Sequence, residues 1–231
     1  MTKLDTDVAE IMDYVSGWHA NHPDIAVDGV RPKIKSAYKQ FHSILIWRVA
    51  LDQSDMAEDL RLYVNESTSD ISHAFFLNLI SLYKSSRSSL RSGIENFVRV
   101  ILLSNGEDMK ALTSVFDLFA AARKLLITEH AALKIFDDLR ILYGELCKSV
   151  HSAKVDYLAQ TVPFDKLSQF DQVQFFGNIE KTREVCALVN QLSFWCWNER
   201  LAFVGHENAD FVSDSVPRKL KRLKSDYLGA E

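Results

Sequence analysis

The chain is poor in the residues that announce specialised chemistry. Its 231 residues hold only three cysteines, Cys147, Cys186 and Cys196, an odd and widely spaced set. They form neither a C-x-x-C pair nor the even count of a secreted disulfide framework, and read as buried thiols in a reducing cytosol. Charge of one sign is lacking too: 27 Lys and Arg face 31 Asp and Glu, for a net charge of -4. That balance excludes a global basic field and confines any contact with nucleic acid or an anionic membrane to a local patch. No run approaches the roughly 20 apolar residues that span a bilayer. The opening stretch MTKLDTDVAEI lacks the continuous apolar core of a signal peptide. A soluble, cytoplasmic protein without membrane contact is the expectation. Internal repeats and low-complexity tracts are absent, and strand signals are scarce.

Apolar residues make up 47% of the chain, enough for the core of one large domain. Their spacing is helical. Asp7 with Glu10 predicts a cap, after which Val8, Ile11, Met12, Val15 and Trp18 recur at that spacing until Gly17 to Asn21. His19 and His22 follow as an H-x-x-H pair beside Asn21 and Pro23, without a third ligand nearby, and read as a polar loop. No metal or cofactor is expected. Pro32 opens a second helix with Ile34, Tyr38, Phe41, Leu45 and Val49 on one face. Asp55 and Glu58 predict a short helix over 56–64, and the polar run NESTSD, 65–70, a loop.

The longest helix is predicted from Ser69 or Asp70 to Asn105-Gly106. Gly93 lies on its apolar side, where an interior glycine costs about 1 kcal/mol relative to alanine, so another helix should approach closely there. Arg91, Glu95 and Arg99 stack along a neighbouring stripe and read as a solvated charge ladder. A less regular helical segment covers 109–126, and Thr128 can cap the next helix. That helix buries Leu133, Phe136, Leu139, Leu142, Leu146 and Val150, and ends at His151, on the boundary between its apolar and polar faces. An imidazole so placed can be partly desolvated yet reach a substrate, or can simply favour the C-terminal dipole. The last long helix is predicted from Asp171 to Phe203, with Phe194, Trp195 and Trp197 as core or as a partner interface.

The expected architecture is an all-α helical bundle of five to seven helices, with residues 1–207 as one domain and 208–231 as a polar, basic tail. In that tail Arg218, Lys219, Lys221, Arg222 and Lys224 give five cations with no acid among them, the candidate contact for nucleic acid or an acidic partner.

The pair LRSGIENFVRVIL, Leu90 to Leu102, and LYGELCKSVHS, Leu142 to Ser152, resembles the two central helices of HEPN-like domains, a helical family of prokaryotic toxins and antiphage systems. In such relatives one long helix carries an arginine and a glutamate near its middle, and a later helix carries a tyrosine and a terminal histidine. The match carries over to Arg91, Glu95, Tyr143 and His151. Active members are metal-independent ribonucleases whose signature leaves four to six residues between an arginine and the histidine that follows it. The guanidinium steadies charge on phosphate and the imidazole exchanges a proton near neutral pH. Before His151 those spacings hold Leu146, Glu145 and Gly144. Lys148 is the nearest cation, a point charge without the bidentate fork. If Gly93 and Gly144 mark a crossing of antiparallel helices, Arg87 or Arg91 would stand near His151 instead. The resemblance thus implies a HEPN-like interaction module, a subunit or regulator in a bacterial defence, antiphage or toxin-antitoxin system, working through a protein partner or as a homo-oligomer with a degenerate nuclease site. The alternative is a metal-independent ribonuclease toxin or antiphage effector that cleaves RNA with His151.

Overall fold

The computed structural model describes residues 2–18, 29–54, 56–109, 112, 114–150 and 169–228, and among these it is all-helical, without a strand. Nine α-helices stand in order: α1 Lys3–Trp18, α2 Val30–Asp52, α3 Glu58–Leu79, α4 Tyr83–Ser104, α5 Val115–Leu125, α6 His130–Val150, α7 Gln172–Trp197, α8 His206–Ser215 and α9 Arg218–Leu228. A 3₁₀ segment, Asn198–Phe203, continues α7. Helix α1 begins earlier than the Asp7 cap, because Thr2 and Asp5 bond each other's backbone N–H groups reciprocally. The N-caps of α5 and α7 are side chains as well, Ser114 accepting from Asp117 N and Asp171 from Gln174 N.

The polar run NESTSD is helix, not loop. Its hydroxyls find acceptors in and beyond the helix: Thr68 Oγ1 donates to the Val64 carbonyl of α3 at 2.8 Å, and Ser67 Oγ crosses to the Gly93 carbonyl of α4 at 2.8 Å. The Ser67 hydroxyl, of a kind that usually weakens a helix by competing for its backbone, here ties two helices together. The chain turns instead at Ile80, Ser81 and Leu82, where Ser81 adopts φ 64°, so the single long helix expected from 69 to 105 is the second half of α3 and all of α4. Gly93 does sit against another helix. A β-carbon there would stand 2.8 Å from Ile71 Cγ1 and 3.3 Å from both Ile71 N and the Ser67 carbonyl of α3. Gly144 has open space where a β-carbon would go, so the two glycines do not mark a common crossing.

The larger core runs from Phe41 and Trp47 of α2 through Leu90 and Ile101 of α4, Phe136 and Leu146 of α6, and Val189 and Trp195 of α7. A second core joins Val8 of α1, Ile34 of α2, Phe75 of α3 and Phe175 of α7. Trp47 Nε1 donates to Asn190 Oδ1 at 2.7 Å inside the first, satisfying an indole that burial would otherwise strand. Trp195 and Trp197 are buried, so the aromatic end of α7 is core rather than an open interface. The segment from 208, expected as a polar, basic tail, is helical through 228 apart from a short break and packs on the bundle. Val212, Val216 and Leu220 are buried in the main core at four-residue intervals, and burying three branched side chains secures α8 and α9 against the bundle.

Candidate functional site

Helices α4 and α6 bring together three of the four residues that the resemblance singles out. Arg91 and Glu95 lie one turn apart on α4, and Arg91 Nε donates to Glu95 Oε1 at 3.0 Å. Their side chains are only 24% and 15% exposed, so the pair is half-buried and not part of the solvated surface ladder expected from the spacing. From α6, Tyr143 donates its hydroxyl to the same Glu95 oxygen at 2.7 Å. The Arg91 guanidinium stands 5.9 Å from the Tyr143 ring centroid, and the Phe119 ring of α5 packs on the same tyrosine with the two ring centroids 4.7 Å apart. Arg99, next on the stripe, donates to Asn96 Oδ1 at 3.1 Å and lies over Tyr63, so it belongs to the α3–α4 seam.

This arrangement fixes protonation. Burial first, then the Glu95 carboxylate and the Cys147 thiol, push the Tyr143 phenol far above its ordinary value. Partial burial is the largest single influence on Arg91 and opposes its charge, but Glu95 and Tyr143 together outweigh it and hold the guanidinium above its usual range. The cluster is a carboxylate saturated by a cation and a phenol. It can position two helices, and it holds no group poised to exchange a proton near neutral pH.

The other candidate cations are engaged elsewhere or stand apart. Arg87 Nη2 donates to Gln174 Oε1 of α7 at 3.3 Å, and burial lowers its affinity for a proton. Lys148 is exposed on α6. Of the signature spacings, Leu146 is fully buried in the core and Glu145 accepts from Lys181 of α7. His151, like His19 and His22, lies outside the described residues. Among the described residues no group of three His, Cys, Asp or Glu side chains is arranged to hold a metal ion, and no helix is long and apolar enough to cross a membrane.

The five cations of the C-terminal segment do not form one patch. Helix α9 presents Arg218, Lys219 and Arg222 to solvent but turns two inward. Lys221 Nζ donates to the Ser213 carbonyl at 3.1 Å, and Lys224 Nζ stands 5.0 Å over the Trp195 ring. The helical period that buries Leu220 forces this split, because five cations within seven residues cannot share the outer face.

One feature went unread in the sequence. A groove of about 520 Å³ between α5 and α6 is lined by Phe116, Phe119, Arg123, Arg140 and Tyr143, so it opens on the ring of the candidate site. Phe116 on its wall is 81% exposed. Both arginines lean on Asp137, with Arg123 gripping it by two bonds of 3.0 and 3.2 Å. The signal that was available is Phe116 itself, a large aromatic on the side of α5 roughly opposite the buried Leu118. Compared with protein-family models, with curated proteins and with solved structures, the chain matches none.

Proposed function

We propose that the chain is a HEPN-like helical association module, a subunit or regulator in a bacterial defence or conflict system, whose nuclease site is degenerate. The observation that carries this reading is the double occupation of Glu95 by Arg91 and Tyr143. A guanidinium bonded to a carboxylate on its own helix is neutralised before any phosphate arrives, and a phenol held protonated is no base near neutral pH. The end of α6 supports the same reading, since Leu146 is core and Glu145 is paired with Lys181 where an arginine would be required. Association is favoured by the open α5–α6 groove and the exposed Phe116 beside it, an apolar surface of the kind that contact partners cover. On this reading the module works in the cytoplasm, through a protein partner or a further copy of itself.

Two measurements test it. Purified protein incubated with total RNA in EDTA should leave the RNA intact. The protein should also co-purify with the product of a co-expressed neighbouring gene as a stable complex that Phe116→Asp weakens. Metal-independent cleavage abolished by His151→Ala would overturn the reading in favour of the ribonuclease, with His151 as acid-base group and Arg87, Arg91 or Lys148 as the cation.

A further inference from the structure

The cleft between the C-terminal ends of α2, α4, α5 and α7 is a second site, independent of the groove and of the function proposed above. Its volume is about 440 Å³, and its wall carries two tryptophans, Trp195 and Trp197, together with Glu129, Glu199 and Lys224. That volume falls within the roughly 300 to 1,000 Å³ of small-molecule sites. Its chemistry is uneven. The Trp195 indole donates its Nε1–H to the Glu129 carboxylate, which adds electron density to the ring and sets an anion at its edge. Over that ring, at 5.0 Å, stands the Lys224 ammonium of α9. An indole face beside a carboxylate is the arrangement that attracts alkylammonium ions. The cleft is thus already a cation site, with an occupant supplied by its own chain.

The rest of the lining suits a longer molecule than one lysine tip. Leu51, Leu60, Val100 and Leu103 give an apolar wall, and Glu199 offers a second carboxylate whose pairing with Arg200, at 3.6 Å, is exposed to water. Exposed pairs of this kind hold weakly and exchange partners readily. The Cys196 thiol senses the whole set: burial pushes it up to about 12, helped by Glu129 and Glu199 and opposed by Lys224. Carboxylates and ammonium therefore act on one small volume. An aliphatic chain with an ammonium at each end meets an indole and a carboxylate at one end, methylene contacts along its length and Glu199 at the other.

We propose that this cleft binds a small aliphatic polyamine, and that Lys224 on α9 is a tethered competitor for its indole subsite. Binding displaces the Lys224 ammonium and loosens α9 from the end of α7. No covalent step is involved; one cation replaces another over Trp195.

The test uses the full chain, with spermidine and putrescine as probes and n-butylamine as the single-charge control, at fixed ionic strength and with tryptophan fluorescence as readout. Spermidine should give a saturable change that matched NaCl does not reproduce. Lys224→Met should tighten binding about tenfold, the gain expected if the tethered ammonium fills the subsite about nine-tenths of the time. Glu129→Gln, which can still accept from the Trp195 indole, should weaken it at least about tenfold through loss of the charge. Lys134→Met, an exposed lysine on α6, should leave it unchanged. In the unmodified protein, spermidine should speed amide exchange across 218–226, a readout that does not depend on any variant folding. Absence of saturation in both the unmodified protein and a folded Lys224→Met variant would overturn the proposal, as would weaker binding on removal of Lys224.

Discussion

Replacing Gly93 by alanine sets two effects of comparable size against each other. In an exposed helix the change would stabilise by about 1 kcal/mol, because glycine loses more backbone freedom on folding. At Gly93 the new methyl would meet Ile71 Cγ1 at 2.8 Å, and the Ile71 N and Ser67 carbonyl at 3.3 Å. A side-chain tip can rotate away, but two backbone atoms of α3 cannot, so α3 and α4 must part by several tenths of an ångström. Overpacking of this sort costs about 1–3 kcal/mol. Parting the helices also lengthens the Ser67 Oγ bond to the Gly93 carbonyl, now 2.8 Å, which contributes about 1 kcal/mol. The net expectation is a loss of about 1–3 kcal/mol, or roughly 2–12 °C in Tm for a chain of this size. Urea unfolding followed by far-UV circular dichroism measures it. Gly144→Ala is the internal comparison: nothing stands within 4 Å of its β-carbon, and the same substitution there should stabilise by about 0.5–1 kcal/mol. Should Gly93→Ala match or exceed the parent in urea midpoint, the close approach of α3 and α4 would not be the reason for that glycine.

Three further outcomes are expected. Tyr143→Phe should cost about 1 kcal/mol by urea titration, because Glu95 keeps Arg91 and loses only the 2.7 Å phenol bond; a loss beyond about 3 kcal/mol would mean the phenol holds more than these two helices. Cys186 is fully buried and burial pushes its thiol up to about 12, so at pH 8 a disulfide reagent should leave it unreacted in the folded protein and titrate three thiols in guanidinium, with rapid reaction of all three in the folded protein speaking against the packing of α7. His42 is held below its ordinary value, first by burial, and its Nδ1 is buried without a hydrogen-bond partner beside Phe211. The unfolded chain therefore takes up the proton first, so stability should be full above the unfolded value of about 6.5 and fall as pH drops below it, an effect that His42→Phe should flatten in urea midpoints compared at pH 7.5 and 5.5.

The sequence made the fold class legible because punctuation and period agree over most helices. Pro32 near the start of α2, Asp171 before α7 and Gly106 after α4 sit where capping chemistry puts them. The period failed where polar residues serve the inside. Ser67 and Thr68 look like loop residues until their acceptors on α3 and α4 are seen, and the turn at Ser81 carries neither proline nor glycine to betray it. The end of the chain was legible in principle, since Val212, Val216 and Leu220 keep a four-residue interval through a basic stretch that drew attention to its charge. At the candidate site, the Arg91–Glu95 spacing is visible in the sequence, whereas the arrival of Tyr143 from 48 residues away is not a matter of local pattern. Nor is the fate of Lys224, whose direction depends on which side of α9 Leu220 buries.

The seam between α3 and α4 also bears on how the chain reaches this state. Three residues, 80 to 82, join the two helices, so bringing them together closes a short loop at little entropic cost. Seam contacts such as Ser67 to Gly93 span 26 positions, while Trp47 and Asn190 must meet across 143. Local closure precedes distant closure when both are available, so the α3–α4 hairpin is the natural nucleus, and α2 and α7 dock on it later. Damage at Gly93 should then slow refolding, whereas loss of the Trp47–Asn190 bond should chiefly hasten unfolding.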